Sequence, residues 1–314
     1  WGHRKGAGTR RQAGSSRNTR REKEERILQI SGTTTMLGLI GTPVAHSKSP
    51  AMYNHCFAKF GLDWAYLAFD VPAEKAGEAV AAIRTLGMRG ANVTMPCKNA
   101  VIPYLDELTP AAKAIQAVNT IVNDNGRLVG HNTDGCGYTQ NLRRNGVEVA
   151  GKKIVLLGGG GAASAIAIQA ALEGAAEIAV FNLKDAFWPR MEQGMHAIAQ
   201  AAPGCAITLY DLEDRAQLKA AIDRCDILSN ATRVGMAPYE DQSNITDLSW
   251  FCSDLVVTDV VYAPPATKML REARAAGCKT CDGLGMLLCQ GAEAFRLYSG
   301  LEMPVEEIRA LLYA

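Results

Sequence analysis

The stretch KIVLLGGGGAASAIAIQAAL, Lys153–Leu172, joins an uninterrupted apolar run to four consecutive glycines and then to an Ala-rich segment. The apolar run predicts a buried strand over Ile154–Leu157, and the Ala-rich part predicts a helix. Gly158, Gly160 and Ala163 fit the G-x-G-x-x-G/A fingerprint, in which glycine permits a tight turn and a close backbone approach to pyrophosphate. The alternative is an ordinary α/β turn in which glycine serves only packing, but such a turn does not require four consecutive glycines. The stretch therefore predicts a Rossmann-type dinucleotide-binding unit.

Strands and helices alternate on both sides of this unit, which is typical of α/β proteins. Before it, the pattern predicts a helix over Ala73–Leu86, a strand over Gly90–Met95 and a hairpin about Asp124–Gly126. After it, the pattern predicts further strands at 226–230 and 254–259. We expect two α/β domains around a cleft, with a boundary at about residue 135 and the dinucleotide-binding domain over 135–283.

Composition and charge exclude several classes of function. The chain has 314 residues, 48% of them hydrophobic, and a net charge of +1. Residues 1–26 hold nine basic and three acidic side chains, so the remaining chain carries −5, which argues against nucleic acid as a partner. We expect residues 1–30 to be a disordered basic tail. The longest uncharged run, 154–172, is explained by strand, turn and helix, so we expect no membrane segment.

The nine cysteines are scattered and odd in number. This pattern favours reduced thiols and a cytoplasmic location over a disulfide framework. Cys278 and Cys281 form a Cys-x-x-Cys pair, but their surroundings predict a short strand before a glycine turn. Neither His46 nor His55 has a second ligand at suitable spacing, so we expect no metal site.

Two polar clusters follow predicted strands in the first half of the chain, one containing Lys98 and the other Asp134. Taken alone, Lys98 is a surface lysine and Asp134 a helix N-cap. Beside a nicotinamide site, however, the pair suits acid/base catalysis. A lysine held by a carboxylate can protonate the oxygen of a carbonyl that is being reduced. Ser47 and Ser49 suit a substrate carboxylate or hydroxyls, although a Ser/Pro turn that caps a helix is the alternative.

From about Met36 to its end, the chain resembles the shikimate dehydrogenases, and most closely the quinate/shikimate dehydrogenase branch. The resemblance rests on seven motifs in order: IGTPVAHSKSP (40–50), ANVTMPCK (91–98), AVNTIV (117–122), NTDG (132–135), LLGGGGAA (156–163), NATRVG (230–235) and DGLGMLLCQ (282–290). The resemblance implies a reversible reduction of 3-dehydroshikimate to shikimate, or oxidation of quinate, with NADP or NAD. It also implies that the C-terminal helices, 284–314, return to the first domain, 31–134.

The resemblance implies roles for individual residues. Lys98 is the implied acid/base, with Asp134 as its partner. The implied substrate-binding residues are Ser47, Ser49, Thr94, Asn119, Tyr262 and Gln290. The implied cofactor-binding residues are Gly158, Gly159, Gly160, Gly161, Ala162, Asn182, Lys184, Asp185, Arg233, Val260, Val261 and Gly283.

The sequence departs from the family pattern at Gly159, where Ala is usual, at Ala263, where the close branch often has Asn, and at Leu183. NADP-specific members place Arg at this last position to clamp the 2′-phosphate. Asp185 lies near where an acidic residue binds the ribose of NAD, so we expect NAD to be preferred, with NADP possible.

Three alternatives stay open from the sequence: an NADP-specific shikimate dehydrogenase, an amino-shikimate dehydrogenase, and a non-catalytic dinucleotide sensor. We expect a small-molecule substrate as the partner, no nucleic acid or membrane, and a monomer or homodimer.

Overall fold

The computed structural model describes residues 30–185 and 188–313. Within them the chain forms two six-stranded sheets, each covered by helices, which confirms the predicted α/β class. The predicted basic tail lies outside the described residues, except for Ile30 at its end.

The first sheet and its helices comprise, in chain order, β1 (Thr35–Gly41), α1 (Ser49–Phe60), β2 (Trp64–Asp70), α2 (Ala76–Thr85), β3 (Gly90–Val93), α3 (Cys97–Ala100), β4 (Glu107–Leu108), α4 (Pro110–Ile115), β5 (Thr120–Asp124), β6 (Arg127–His131) and α5 (Asp134–Arg144). The second sheet and the helices that follow comprise β7 (Lys153–Leu157), α6 (Gly161–Leu172), β8 (Glu177–Asn182), α7 (Trp188–Ala201), β9 (Ala206–Asp211), α8 (Arg215–Ile222), β10 (Ile227–Asn230), β11 (Val256–Asp259), α9 (Lys268–Ala275), β12 (Lys279–Cys281), α10 (Gly283–Ser299) and α11 (Val305–Tyr313).

The strand order of the first sheet is β2-β1-β3-β5-β6-β4. Strands β1, β2 and β3 are parallel, and β5 runs antiparallel to both β3 and β6. Asn92 lies opposite Thr120, and Thr120 lies opposite His131. The carboxyl ends of β1, β3 and β6 therefore meet the amino end of β5 at one edge of the sheet.

The second sheet is parallel throughout, in the order β12-β11-β10-β7-β8-β9. The chain first moves outward from β7 to β9 and then crosses to the other side of β7. The order therefore reverses between β7 and β10, which is where open α/β sheets bind ligands. Residues 154–157 of β7 are buried because helices cover both faces of the sheet.

Helices α10 and α11 pack against the first sheet. Phe295 of α10 stacks on Tyr53 and Phe57 of α1, with ring centroids 6.4 and 6.1 Å apart. The Arg89 guanidinium donates hydrogen bonds to the carbonyl oxygens of Tyr298, at 2.9 Å, and Asn123, at 2.7 Å. The carboxyl end of α10 is therefore fixed to the first sheet.

Some elements differ from the sequence expectation. The helix predicted over Ala73–Leu86 begins as a 3-10 turn, Ala73–Lys75, before α2. The strand predicted over Gly90–Met95 ends at Val93, and Lys98 lies on the short helix α3 that follows it. The sequence patterns leave α7, β9 and α8 unassigned. Strand β9 is an edge strand with no fully buried residue, so its apolar signal is weak.

Helices α5 and α10 approach each other at backbone distance. A Cβ atom on Gly137 of α5 would lie 2.6 Å from the backbone nitrogen of Gln290 on α10. A Cβ on Gly285 of α10 would overlap the side chain of Asn141 on α5. Glycine at both positions therefore permits the close packing of these two helices.

We predict that Gly137→Ala destabilises the protein, because the added methyl pushes α10 away from α5. Overpacking of this kind costs about 1–3 kcal/mol, which corresponds to a fall in Tm of about 2–10 °C. Gly194→Ala on α7 is the control, since a Cβ there meets nothing within 4 Å, and its Tm should stay the same or rise. Calorimetry that gave the two variants the same Tm would contradict the prediction.

Candidate active site and dinucleotide-binding loop

Four polar segments meet at the edge of the first sheet where β1, β3 and β6 end. Ser47 and Ser49 follow β1, Thr94 follows β3, Asn119 precedes β5, and Asp134 is the first residue of α5 after β6. The strand pairing brings these segments together, although they are far apart in the sequence.

Lys98 and Asp134 form a half-buried ion pair. The Lys98 Nζ lies 2.7 Å from Asp134 Oδ2, and the side chains are 24% and 20% exposed. The Asn119 side-chain amide donates to Asp134 Oδ1 at 2.8 Å and to Thr133 Oγ1 at 3.0 Å. Thr133, not Asp134, is the N-cap residue of α5. The alternatives of a surface lysine and a capping carboxylate are therefore wrong.

This pair lies in a cleft of about 710 Å³ that is lined from both sheets. Ser47, Ser49 and Thr94 contribute from the first sheet, Tyr262 from the loop after β11, and Gln290 from α10. Ser47 Oγ accepts a hydrogen bond at 3.2 Å from the N–H of Ser49, the first residue of α1, so the Ser/Pro turn predicted as an alternative is present at the helix start. The structure thus brings all the predicted substrate-binding residues, with Asn119, to one cleft.

The cleft also contains side chains that the sequence did not single out. Buried Asn92 donates to Thr120 Oγ1 at 3.1 Å and accepts from the Tyr66 hydroxyl at 2.9 Å, so its position is fixed. Lys48 and Tyr313 also line the cleft. Lys48 lies inside the motif IGTPVAHSKSP and Asn92 inside ANVTMPCK, so these motifs could have identified both residues as candidates. Tyr313 has no such signal, because it reaches the cleft from the far end of the chain.

The glycine loop has the geometry that its fingerprint predicts. Gly158 has φ +109°, and a Cβ there would lie 2.9 Å from the Ala231 carbonyl oxygen. Gly160 and Gly161, at the start of α6, have nothing within 4 Å of a Cβ position. Open backbone N–H groups at a helix N-terminus suit a pyrophosphate. A Cβ on Gly159 would lie 2.7 Å from the Asn182 side chain, so glycine in place of the usual Ala avoids a close contact with Asn182.

The residues predicted at the adenosine ribose lie at the carboxyl ends of two strands. Asn182 ends β8, and Lys184 and Asp185 follow it. The Lys184 Nζ lies 3.4 Å from Asp211 Oδ2 at the end of β9. Arg233 is exposed in the loop after β10. The structure therefore places these residues at the binding edge of the second sheet.

The segment Val260–Ala263 is held from two sides. Asp259 Oδ1 accepts from the Val261 N–H at 2.9 Å, and Asp259 Oδ2 accepts from Thr267 Oγ1 at 2.7 Å. A Cβ on Gly283 would overlap the Val260 carbonyl, so only glycine lets α10 begin this close. Burial raises the pKa of the Asp259 carboxyl to about 6, although hydrogen bonds from Val261, Thr267 and Asn230 act to lower it.

Among residues 30–185 and 188–313, no group of three or more His, Cys, Asp or Glu is placed to hold a metal ion. Within the same residues, no helix combines the length and the apolar character needed to cross a membrane. The short strand predicted around Cys278 is present as β12, Lys279–Cys281, and Cys278 and Cys281 are both free thiols.

Comparisons with known proteins identify the family. The model of the shikimate dehydrogenase substrate binding domain matches residues 39–121, and that of the shikimate 5′-dehydrogenase C-terminal domain matches residues 283–313. A relative from Streptococcus uberis named shikimate dehydrogenase (NADP(+)) is 49% identical over 288 residues, which cover 91% of this chain and 97% of the relative. The chain belongs to the shikimate dehydrogenase family. This finding confirms the resemblance seen in the sequence motifs.

Solved structures of similar proteins agree with this family and fold. Shikimate 5-dehydrogenase from Listeria monocytogenes, in complex with shikimate and NAD, is 46% identical with a TM-score of 0.88, and the match covers 91% of this chain and 98% of that one. Quinate dehydrogenase from Corynebacterium glutamicum, in complex with NAD, is 32% identical with a TM-score of 0.79, covering 88% and 98%. This member of the shikimate dehydrogenase family is thus an NAD(P)-dependent oxidoreductase that acts on a CH–OH group.

We predict that Asp259 lowers the stability of the folded protein by an amount that grows as the pH rises. Because its pKa is raised to about 6, between pH 4 and pH 6 the folded chain holds a proton that the unfolded chain has lost. The stability of the wild type should therefore fall, relative to Asp259→Asn, by about 1–2 kcal/mol between pH 4.5 and pH 7.

Urea denaturation of both proteins at the two pH values measures this difference. Asp254→Asn, on the exposed loop before β11, is the control and should follow the wild type. A stability difference between Asp259→Asn and the wild type that stays constant from pH 4.5 to 7 would refute the raised pKa.

Proposed function

We propose that this protein interconverts shikimate and 3-dehydroshikimate by reversible hydride transfer with NAD(P), within the shikimate pathway. The observation that carries the proposal is the Lys98–Asp134 pair, which lies in the cleft that Val260 and Gly283 of the predicted dinucleotide-binding domain also line. A lysine and a carboxylate at 2.7 Å, beside a nicotinamide site, fit proton transfer to a carbonyl oxygen.

In this proposal Lys98 moves the proton. Bound NAD(P) supplies the hydride acceptor or donor. In the reductive direction the Lys98 ammonium donates a proton to the substrate oxygen as the carbonyl becomes an alcohol, and in the oxidative direction the neutral amine removes it. Asp134 orients the amine, and Asn119 holds the second carboxylate oxygen at 2.8 Å. A non-catalytic sensor would have no use for this arrangement.

The substrate-binding residues in the proposal are Ser47, Ser49, Thr94, Asn119, Tyr262 and Gln290. They provide hydroxyl, amide and phenol groups for one carboxylate and several ring hydroxyls. The Listeria monocytogenes neighbour, which contains shikimate, supports shikimate as the substrate. Quinate is a second candidate, because the Corynebacterium glutamicum neighbour is a quinate dehydrogenase and an added ring hydroxyl changes selectivity by only about 100-fold.

We also propose a division of labour between the two parts of the chain. Residues 31–134 and 284–314 form the substrate-binding and catalytic domain, and residues 135–283 form the NAD(P)-binding domain. The packing of α10 and α11 on the first sheet supports the discontinuous first domain. The monomeric or dimeric state, the cytoplasmic location and the disordered tail stay predictions.

The names of the relatives and the residues near the ribose favour different cofactors. The Streptococcus uberis relative is named for NADP(+), which favours NADP. At the ribose end, however, Leu183 lacks the guanidinium that would bind a 2′-phosphate. The Lys184 ammonium lies 3.4 Å from Asp211, so that carboxylate competes with a phosphate for it. We propose NAD as the preferred cofactor on these local grounds.

We predict that Lys98→Met lowers kcat by about 10²–10⁴-fold, the usual contribution of a general acid/base, while KM for shikimate changes less. Lys113→Met, at an exposed position on α4, is the control and should keep the parent kcat. Steady-state absorbance of the reduced nicotinamide measures both. A kcat within a few-fold of the parent would limit Lys98 to a binding role.

A two-by-two assay of shikimate and quinate against NAD and NADP tests the substrate and the cofactor together. We expect activity on both substrates and a kcat/KM with shikimate that favours NAD by about tenfold or more, equivalent to about 1.4 kcal/mol. Leu183→Arg should shift this ratio toward NADP by about tenfold or more, because it restores a phosphate clamp, whereas Leu183→Met should not. A parent ratio that favours NADP would overturn the NAD proposal, and inactivity on shikimate would overturn the proposed function.

A further inference from the structure

Lys48 lies between Ser47 and Ser49 in the sequence, and its side chain contacts the last turn of α11. Its ammonium donates a hydrogen bond to the Leu312 carbonyl oxygen at 2.6 Å and lies 3.9 Å from the centroid of the Tyr313 ring. Lys48, Leu312 and Tyr313 all line the same cleft as Ser47 and Ser49. The carboxyl end of α11 therefore holds a positively charged group in the lining of the cleft.

The two lysines of the cleft differ in their charge balance. The charge of Lys98 is matched by Asp134 at 2.7 Å. Lys48 has a carbonyl oxygen and an aromatic ring as its partners, and the ion pairs of the described residues include none to it. A carbonyl and a ring face stabilise an ammonium without neutralising it. Lys48 thus retains a net positive charge that an anionic ligand can complete.

Tyr313 does not offset this charge at neutral pH. Its pKa is raised above the usual value, first by burial and then by the nearby Tyr262 phenol. The phenol therefore stays protonated and neutral.

Helix α11 is anchored independently of Lys48. Near its start, Glu307 accepts from Lys59 Nζ at 2.6 Å and lies 2.8 Å from His55 Nε2 on α1. These contacts lie on the surface, away from the residues that line the cleft. The helix is consequently held in place at one end by α1, while its other end presents Leu312 and Tyr313 to Lys48.

We propose that Lys48 is a further substrate-binding residue, whose ammonium attracts and holds the substrate carboxylate beside Ser47 and Ser49, and that Tyr313 is the positioning residue that holds Lys48 there. This inference rests on the proposed function, since shikimate and quinate each carry one carboxylate. The two serines are neutral donors, and Lys98 is already paired. Of the two lysines that line the cleft, Lys48 is therefore the one whose charge is not matched by a carboxylate.

The first test compares Lys48→Met with Lys48→Arg and with Lys59→Met, which removes a lysine that binds α11 away from the cleft. We expect Lys48→Met to raise KM for shikimate by about 3–10-fold, with kcat changed less than twofold. Lys48→Arg should stay close to the wild type, and Lys59→Met should keep the parent KM. Tyr313→Phe should resemble the wild type, because the ring face remains, while Tyr313→Leu should raise KM.

The second readout is ionic strength, which a purely structural role would not change. Raising NaCl from 20 to 300 mM shortens the Debye length from about 20 to about 6 Å. KM for shikimate should rise with salt in the wild type and in Lys59→Met, and should rise much less in Lys48→Met.

A KM for Lys48→Met within twofold of the parent, or an unchanged salt dependence, would overturn the inference while leaving the proposed function intact. The same rise in KM for Lys48→Met and Lys59→Met would also overturn it, since it would assign the effect to the anchoring of α11. A wild type that is inactive on shikimate would instead overturn the proposed function itself.

Discussion

The contact between α5 and α10 is the constraint on which the cleft depends. Because Gly137 leaves no room for a side chain, the backbone of Gln290 lies directly against α5. The same α5 begins at Asp134, and the same α10 begins at Gly283, beneath the Val260 carbonyl. One pair of helices therefore sets the distance between the proposed acid/base pair, a proposed substrate ligand and the segment that follows β11. Glycine at these contacts serves close packing, a role distinct from that of the glycines in the dinucleotide loop.

Buried polar groups around the cleft are almost all committed to fixed partners. Asn119 binds Asp134 and Thr133, and Asn92 binds Thr120 and Tyr66. Fixed partners of this kind cost no reorganisation when a reaction develops charge nearby. Lys48 differs from these groups, because its side chain is exposed and its partners are a carbonyl oxygen and an aromatic ring rather than a carboxylate.

The glycine loop and the residues near the adenosine ribose differ in what they can distinguish between NAD and NADP. Open N–H groups at Gly160 and Gly161 suit any dinucleotide, because both cofactors share the pyrophosphate. In our proposal, discrimination between NAD and NADP depends on the residues just after β8. There Leu183 provides no phosphate ligand, and Asp211 competes for the ammonium of Lys184. The names of the relatives favour NADP, so the proposal of NAD rests on these local residues alone.

The sequence by itself determined the α/β class and the glycine loop, and the family motifs supplied roles for many of the polar residues that line the cleft, but not for Asn92, Lys48 or Tyr313. It could do so because strand, glycine turn and helix are specified by local residue patterns, and because the motifs are contiguous. It did not assign the edge strand β9 and its neighbouring helices, whose half-exposed residues give a weaker periodic signal.

Only the tertiary structure decided which of those residues act on one another. The ion pair of Lys98 with Asp134 depends on the pairing of β3, β5 and β6, and the contact of Lys48 with Tyr313 joins two ends of the chain. Such contacts leave no mark in a local pattern, because they are created by strand order and helix packing. The sequence therefore named the chemical groups, and the packing of the two sheets and of α10 and α11 set their partners and their charge balance.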